Sequence, residues 1–170
     1  RSPLFRSPPS FANALVQSIA GGNTMLFNRA ARSLLQEAGS KLNVPSHDWW
    51  AYQLISGAGG IVHYDPEPKV LYRQHGENIV GANSSWPARR VRFLMVLEGR
   101  FSEWNYLAIT ALSSIRHRLK KEHLVALDHF EAARKQSLPS RLSSCLKAGI
   151  FRQTFFGNLG LALAIFLKKI

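Results

Sequence analysis

The chain has 170 residues, 46% of them hydrophobic, enough for one well-buried core, since domains run to ~100–200 residues. Cys145 is the single cysteine, which excludes an intrachain disulfide framework and a Cys-based zinc site and fits a reducing compartment. The net charge of +12 is uneven: residues 1–85 hold 7 Lys and Arg against 5 Asp and Glu (+2), residues 86–170 hold 15 against 5 (+10), so an anionic partner is expected at the second half.

The chain opens without an initiator Met in a Pro- and Ser-rich stretch, and reads as a piece of a longer polypeptide. No charged start followed by an apolar run and a cleavage site is present. After Pro8 and Pro9, Ser10 caps a helix predicted over 10–20, with Phe11, Leu15 and Ile19 spaced by four. Gly21 and Gly22 end it, and Asn23 reads as a turn residue. A short apolar run at 24–27 leads into a helix over 29–38, stopped at Gly39. Ser46 is placed to cap the next helix, with Asp48 in its first turn, where a carboxylate suits the positive end of the helix dipole. Trp49, Tyr52 and Ile55 recur at threes, and Gly57, Gly59 and Gly60 terminate the element. Residues 61–64 and 69–73 read as short strands of a hairpin, separated by Asp65-Pro66-Glu67-Pro68, whose prolines interrupt any ladder. The second run leads into a polar loop with Arg73, Gln74, His75, Glu77 and Asn78, closed at Gly81.

Beyond Trp86-Pro87 the pattern is helical. Val91, Leu94, Leu97, Phe101, Trp104, Ala108, Ala111 and Ile115 share one face of a long helix, bent at Gly99. A second amphipathic helix over 120–136 turns Leu124, Leu127 and Phe130 inward. Leu138-Pro139-Ser140 breaks the chain, and Ser140 caps a short helix to Leu146. The last run, 152–170, is uncharged from Gln153 to Leu167, fifteen residues that fall short of the ~20 needed to cross a bilayer. It reads as a helix packed on the domain or lying in a membrane interface, flanked by Arg152, Lys168 and Lys169. His117, His123 and His129, six residues apart, do not stack on one helix face and read as incidental.

Three stretches carry a resemblance: His47-Asp48-Trp49-Trp50, Tyr64-Asp65-Pro66-Glu67-Pro68, and Tyr72-Arg73-Gln74-His75-Gly76-Glu77-Asn78 with Gly81. With Gly22-Asn23-Thr24-Met25-Leu26-Phe27-Asn28 upstream, they resemble the carboxyl-terminal half of the catalytic domain of family 2 glycosyltransferases, in the rhamnosyltransferase-like branch. The resemblance covers roughly residues 10–81. It implies a mostly helical α/β fragment, with the acceptor-side part of a GT-A-type domain and a short β-hairpin at 1–85; the basic α-helical extension at 86–170, which the resemblance reaches only loosely, is a candidate for membrane-surface contact.

It also implies roles. Inverting sugar transfer needs a base for the acceptor hydroxyl and positive charge on the departing diphosphate. Asp48 matches the family's catalytic acid. Gly22, Asn23, His47, Trp49, Trp50, Arg73 and Gln74 match substrate-binding positions, although Trp49 and Trp50 also read as core aromatics. His75 matches either a ligand of Mn²⁺ or Mg²⁺ or a diphosphate contact. The implied partners are a nucleoside-diphosphate sugar and a lipid- or polysaccharide-linked acceptor, at the cytoplasmic face of the plasma membrane. One departure stands out: no Asp-any-Asp pair occurs in the chain. The other metal ligands and the nucleotide-binding half are therefore expected upstream, and the chain alone is expected to be inactive. The competing expectation is a basic helical module without catalysis, binding nucleic acid or anchoring to membrane; no recognised nucleic-acid motif supports the first.

Overall fold

The computed structural model describes residues 5, 7–19, 21–67 and 98–170. Every regular element among them is helical. Helix α1 (Phe11–Ala14) begins at Ser10, whose hydroxyl accepts the Asn13 N–H, but it lasts one turn. Leu15 and Val16 turn away into the core instead of extending it. Helix α2 (Arg29–Ala38) is capped by the Asn28 side chain, which accepts the Ala31 N–H, and stops at Gly39, whose φ of 84° lies where side chains are disfavoured. Helix α3 (His47–Gly57) follows.

Gly99, at φ 86°, stands immediately before α4 (Arg100–Ser114), so this glycine marks a helix start where the periodicity predicted a bend. A 3₁₀ turn, Arg116–Arg118, leads to α5 (Lys121–Lys135) and α6 (Leu138–Ala148), two helices packed as a hairpin. Ser137 takes the N-cap position of α6 and Pro139 falls inside the first turn, where its missing N–H costs nothing. Thr154 caps α7 (Phe155–Phe166) by accepting the Gly157 N–H.

The α/β expectation is overturned. Residues 61–64 run as irregular chain with Ile61 97% exposed, and no strand occurs among the described residues. The second predicted strand, 69–73, lies outside them. An extended segment becomes a strand only when a neighbour completes its ladder, and among the described residues 61–64 has none. The GT-A-type arrangement with a β-hairpin is therefore not supported.

Helix α3 is the axis of the molecule: α1, α2 and α4 all pack on it. Phe11, Leu15, Trp49, Trp50, Leu54, Leu112, Leu127, Phe130, Leu161 and Ile165 belong to one cluster of buried side chains, drawn from both sides of residue 85. Beside the connection between α5 and α6 Arg141 is buried, with no carboxylate partner among the described residues. Its guanidinium donates to the carbonyls of Gln136 (2.9 Å), Ile165 (2.7 Å) and Phe166 (3.3 Å), placing positive charge at the carboxyl ends of α5 and α7.

Candidate functional site

The amino end of α3 meets the Gly22–Thr24 3₁₀ turn. The imidazole of His47 is seated on Gly22 so closely that a Cβ there would overlap Nε2. A side chain at position 22 would have to displace the exposed ring, so the Gly-Gly-Asn turn and the start of α3 lie in direct contact. Thr24 steadies the turn, its hydroxyl and its N–H both donating to the Gly21 carbonyl (2.8 and 3.0 Å). Asn23 and His47 are exposed, and Asp48 is half-buried.

The capping of α3 differs from expectation. Ser46 has the extended backbone of an N-cap but makes no capping bond through its side chain. The Asp48 carboxylate accepts the Trp49 N–H at 2.7 Å, so the acid itself takes up one of the unpaired amides of the first turn. That bond anchors one oxygen of the carboxylate.

What holds α3 in place is a polar network under the site. Trp49 donates its indole N–H to the Ala14 carbonyl (2.6 Å), and Gln53 Nε2 donates to the same oxygen (3.2 Å). The Tyr52 hydroxyl accepts the Ser10 N–H (2.9 Å) and donates to Asn13 Oδ1 (3.0 Å). Burial pushes the Tyr52 phenol up to about 12 from its ordinary 10.0, against the opposing pull of the Ser10 N–H. Asn13 Nδ2 donates in turn to Gln17 Oε1 (3.2 Å) and the Phe151 carbonyl (2.9 Å), and the Gln153 N–H donates to Gln17 (2.8 Å). Burial thus coexists with satisfied polar groups.

At the other end of α3, the Gly57 carbonyl faces His123 Nδ1 at 2.8 Å and accepts the Lys120 N–H at 3.0 Å. His123 also packs on the Phe11 ring, with centroids 5.0 Å apart, so this histidine is a structural contact and not an incidental surface group. His117 lies 3.2 Å from the Glu37 carboxylate, linking the 116–118 turn to α2.

Of the predicted site residues, Gly22, Asn23, His47 and Asp48 come to one surface. Trp49 and Trp50 lie beneath it in the core, each 6% exposed, and Trp49 meets Trp104 edge to face with centroids 6.3 Å apart. Arg73, Gln74 and His75 fall outside the described residues. Among the described residues no three His, Cys, Asp or Glu side chains gather as metal ligands, so no step is derived through Mn²⁺ or Mg²⁺. A cleft of about 500 Å³ between α4, α5 and the carboxyl end is lined in part by Ser102, Tyr106, Arg134 and Lys168, and none of the predicted site residues borders it. Asn13, Gln17, Gln53 and Gln153 escaped sequence reasoning; only Gln53, four residues after Trp49 in α3, stood where helical periodicity asks for an apolar residue.

Compared with known proteins, the chain matches no family model, no curated protein and no solved structure.

Proposed function

We propose that the surface formed by the Gly-Gly-Asn turn and the amino end of α3 is the acceptor side of an inverting glycosyltransferase, with Asp48 as the base. The observation that carries the reading is the seat of His47 on Gly22, which joins the two separated motifs at one place beside a half-buried, anchored carboxylate. In the proposed reaction the acceptor hydroxyl oxygen attacks the anomeric carbon of the donor. Its proton passes to the free oxygen of Asp48, the bond from that carbon to the diphosphate breaks, and the electron pair leaves on the diphosphate. Asn23, exposed in the turn, supplies an amide able to bind sugar hydroxyls. His47 is a positioning residue that locks the turn to the helix. The donor sugar, a rhamnose in the branch resembled, and the diphosphate belong to groups outside this surface.

The test measures nucleoside-diphosphate release from a panel of sugar donors, with a lipid-linked saccharide as acceptor, by the polypeptide that carries this sequence in the cell. Asp48→Asn is expected to lower turnover by about 10²–10⁴-fold, the usual contribution of a general base. Its stability should stay within about 1 kcal/mol of the parent, because the amide oxygen still accepts the Trp49 N–H. Unchanged turnover in Asp48→Asn, or no transfer by the parent with any donor, overturns the assignment.

A further inference from the structure

Helix α7 carries large apolar side chains on two faces. Leu161, Ala164 and Ile165 point into the core. Phe155, Phe156, Leu159, Leu163 and Phe166 stay exposed, at 77, 69, 59, 36 and 63%. Phe156, Leu159, Leu163 and Phe166 recur at three and four residues, forming one stripe that walls a shallow apolar groove with Gly160 and Ala162. Single exposed apolar residues are ordinary on a protein surface; a contiguous aromatic and aliphatic stripe marks a contact.

The charge around the stripe says what that contact is. Residues 132–170 contain seven Lys and Arg and no Asp or Glu. Lys168 and Lys169 follow the helix directly, and Lys147 is exposed on α6. Lys168 sits at φ 58° in the turn that closes α7, with its N–H on the Ile165 carbonyl (3.3 Å) and that of Lys169 on Ala164 (2.8 Å). Glycine usually takes such a position; here a lysine does, which sets a cation at the end of the stripe. Lys168 shares its cleft with Glu131, but the segment that carries the stripe holds only cations, and an apolar face flanked by cations complements an anionic lipid surface. A second copy of the chain would instead bring two like-charged rims together. The twelve residues of α7 span about 18 Å, short of the ~30 Å hydrocarbon layer, and no helix among the described residues is long and apolar enough to cross it.

We propose that α7 docks flat on an anionic lipid surface, its exposed stripe entering the boundary between headgroups and acyl chains while Lys168 and Lys169 meet lipid phosphates. This docking uses no residue of the sugar-transfer surface and does not depend on that reading.

Flotation of the full chain with vesicles of phosphatidylcholine and phosphatidylglycerol, beside vesicles of phosphatidylcholine alone, tests it. The chain is expected to float with the anionic vesicles. Phe156→Ser, Leu159→Ser and Phe166→Ser together should cut its partition at least about tenfold, with the thermal unfolding midpoint unchanged. Lys168→Gln with Lys169→Gln should lower it several-fold, as should added salt. Leu159→Asp alone, a smaller change, is expected to lower partition in the same direction and serves if the triple variant misfolds. Asp48→Asn should float like the parent, so failure of docking and failure of the catalytic assignment are separable. Absence of flotation overturns the proposal. So does flotation that salt abolishes while the serine substitutions leave it untouched, or a dimer in light scattering that those substitutions dissociate without any vesicle binding.

Discussion

Helices α3 and α7 are of similar length and opposite fate. Eight of the eleven residues of α3 are buried, among them Tyr52, Gln53 and Ser56, whereas only three of the twelve residues of α7 are buried although none is charged. Burial here follows partners and not hydropathy. Helix α3 is covered by α1, α2 and α4, and its polar side chains go inside because Ser10, Asn13 and Ala14 supply matching donors and acceptors. Helix α7 has core neighbours along one side only, so an equally apolar second side is left facing out. The first helix is enclosed on most of its faces; the second keeps an apolar face exposed.

The sharpest way to break that contrast is to shorten one leucine in each helix. Leu54 is fully buried at the centre of α3, and Leu159 is 59% exposed on α7. Leu54→Ala should cost about 3–4 kcal/mol, from lost burial and the cavity left in a core that relaxes only partly. Leu159→Ala should change stability by no more than about 0.5 kcal/mol. Urea denaturation of the two variants measures both. A cost at Leu159 comparable to that at Leu54 would mean that the stripe on α7 is covered within the protein itself.

The polar network under α3 is the next point of leverage, and its contribution should be smaller. Asn13→Leu removes the acceptor for the Tyr52 hydroxyl and the donor to the Phe151 carbonyl, leaving buried groups unpaired. The expected loss is about 2–3 kcal/mol by urea denaturation. A neutral outcome would show that apolar packing alone seats α1 on α3.

That network also marks where sequence reasoning stopped. Periodicity and punctuation located some helices: Gly39 ends α2, the Trp49 and Tyr52 spacing marks α3, and the run at the carboxyl end became α7, but the helix expected over 10–20 lasts one turn and Gly99 starts a helix that it was expected to bend. These signals are local, and local chemistry decides them. The error at 61–64 came from treating β-type residues as sufficient, when a ladder needs a second chain segment that propensity cannot supply. Asn13 and Gln153 were invisible for the same reason, since each is buried only because a partner more than a hundred residues away completes it. Of the candidate site, the sequence motifs singled out Gly22, His47 and Asp48. The physical link between them, an imidazole resting where a Cβ would otherwise stand, was not legible, because it joins positions 25 residues apart.

The smallest expected effect is a pH dependence that reports on the interior of α3 alone. The Tyr52 phenol is raised to about 12 in the folded chain from an ordinary 10.0, so folding favours its protonated form. Its contribution to stability is therefore fully present below pH 10, where both states keep the proton. It is lost as pH rises through 12, where the unfolded chain has already given that proton up. Cys145 adds a loss of the same sign at lower pH, its thiol being raised by burial from 9.0 to about 11. Tyr52→Phe should leave the Cys145 part intact and remove the part between pH 10 and 12, on the order of 1–2 kcal/mol for a shift of this size. Other groups titrate in that range, but they do so in both proteins, and the difference between the two urea-derived stability profiles isolates the phenol. Parallel profiles across pH 10–12 would mean that the Tyr52 hydroxyl reaches water, and that α3 is not the sealed helix contrasted with α7.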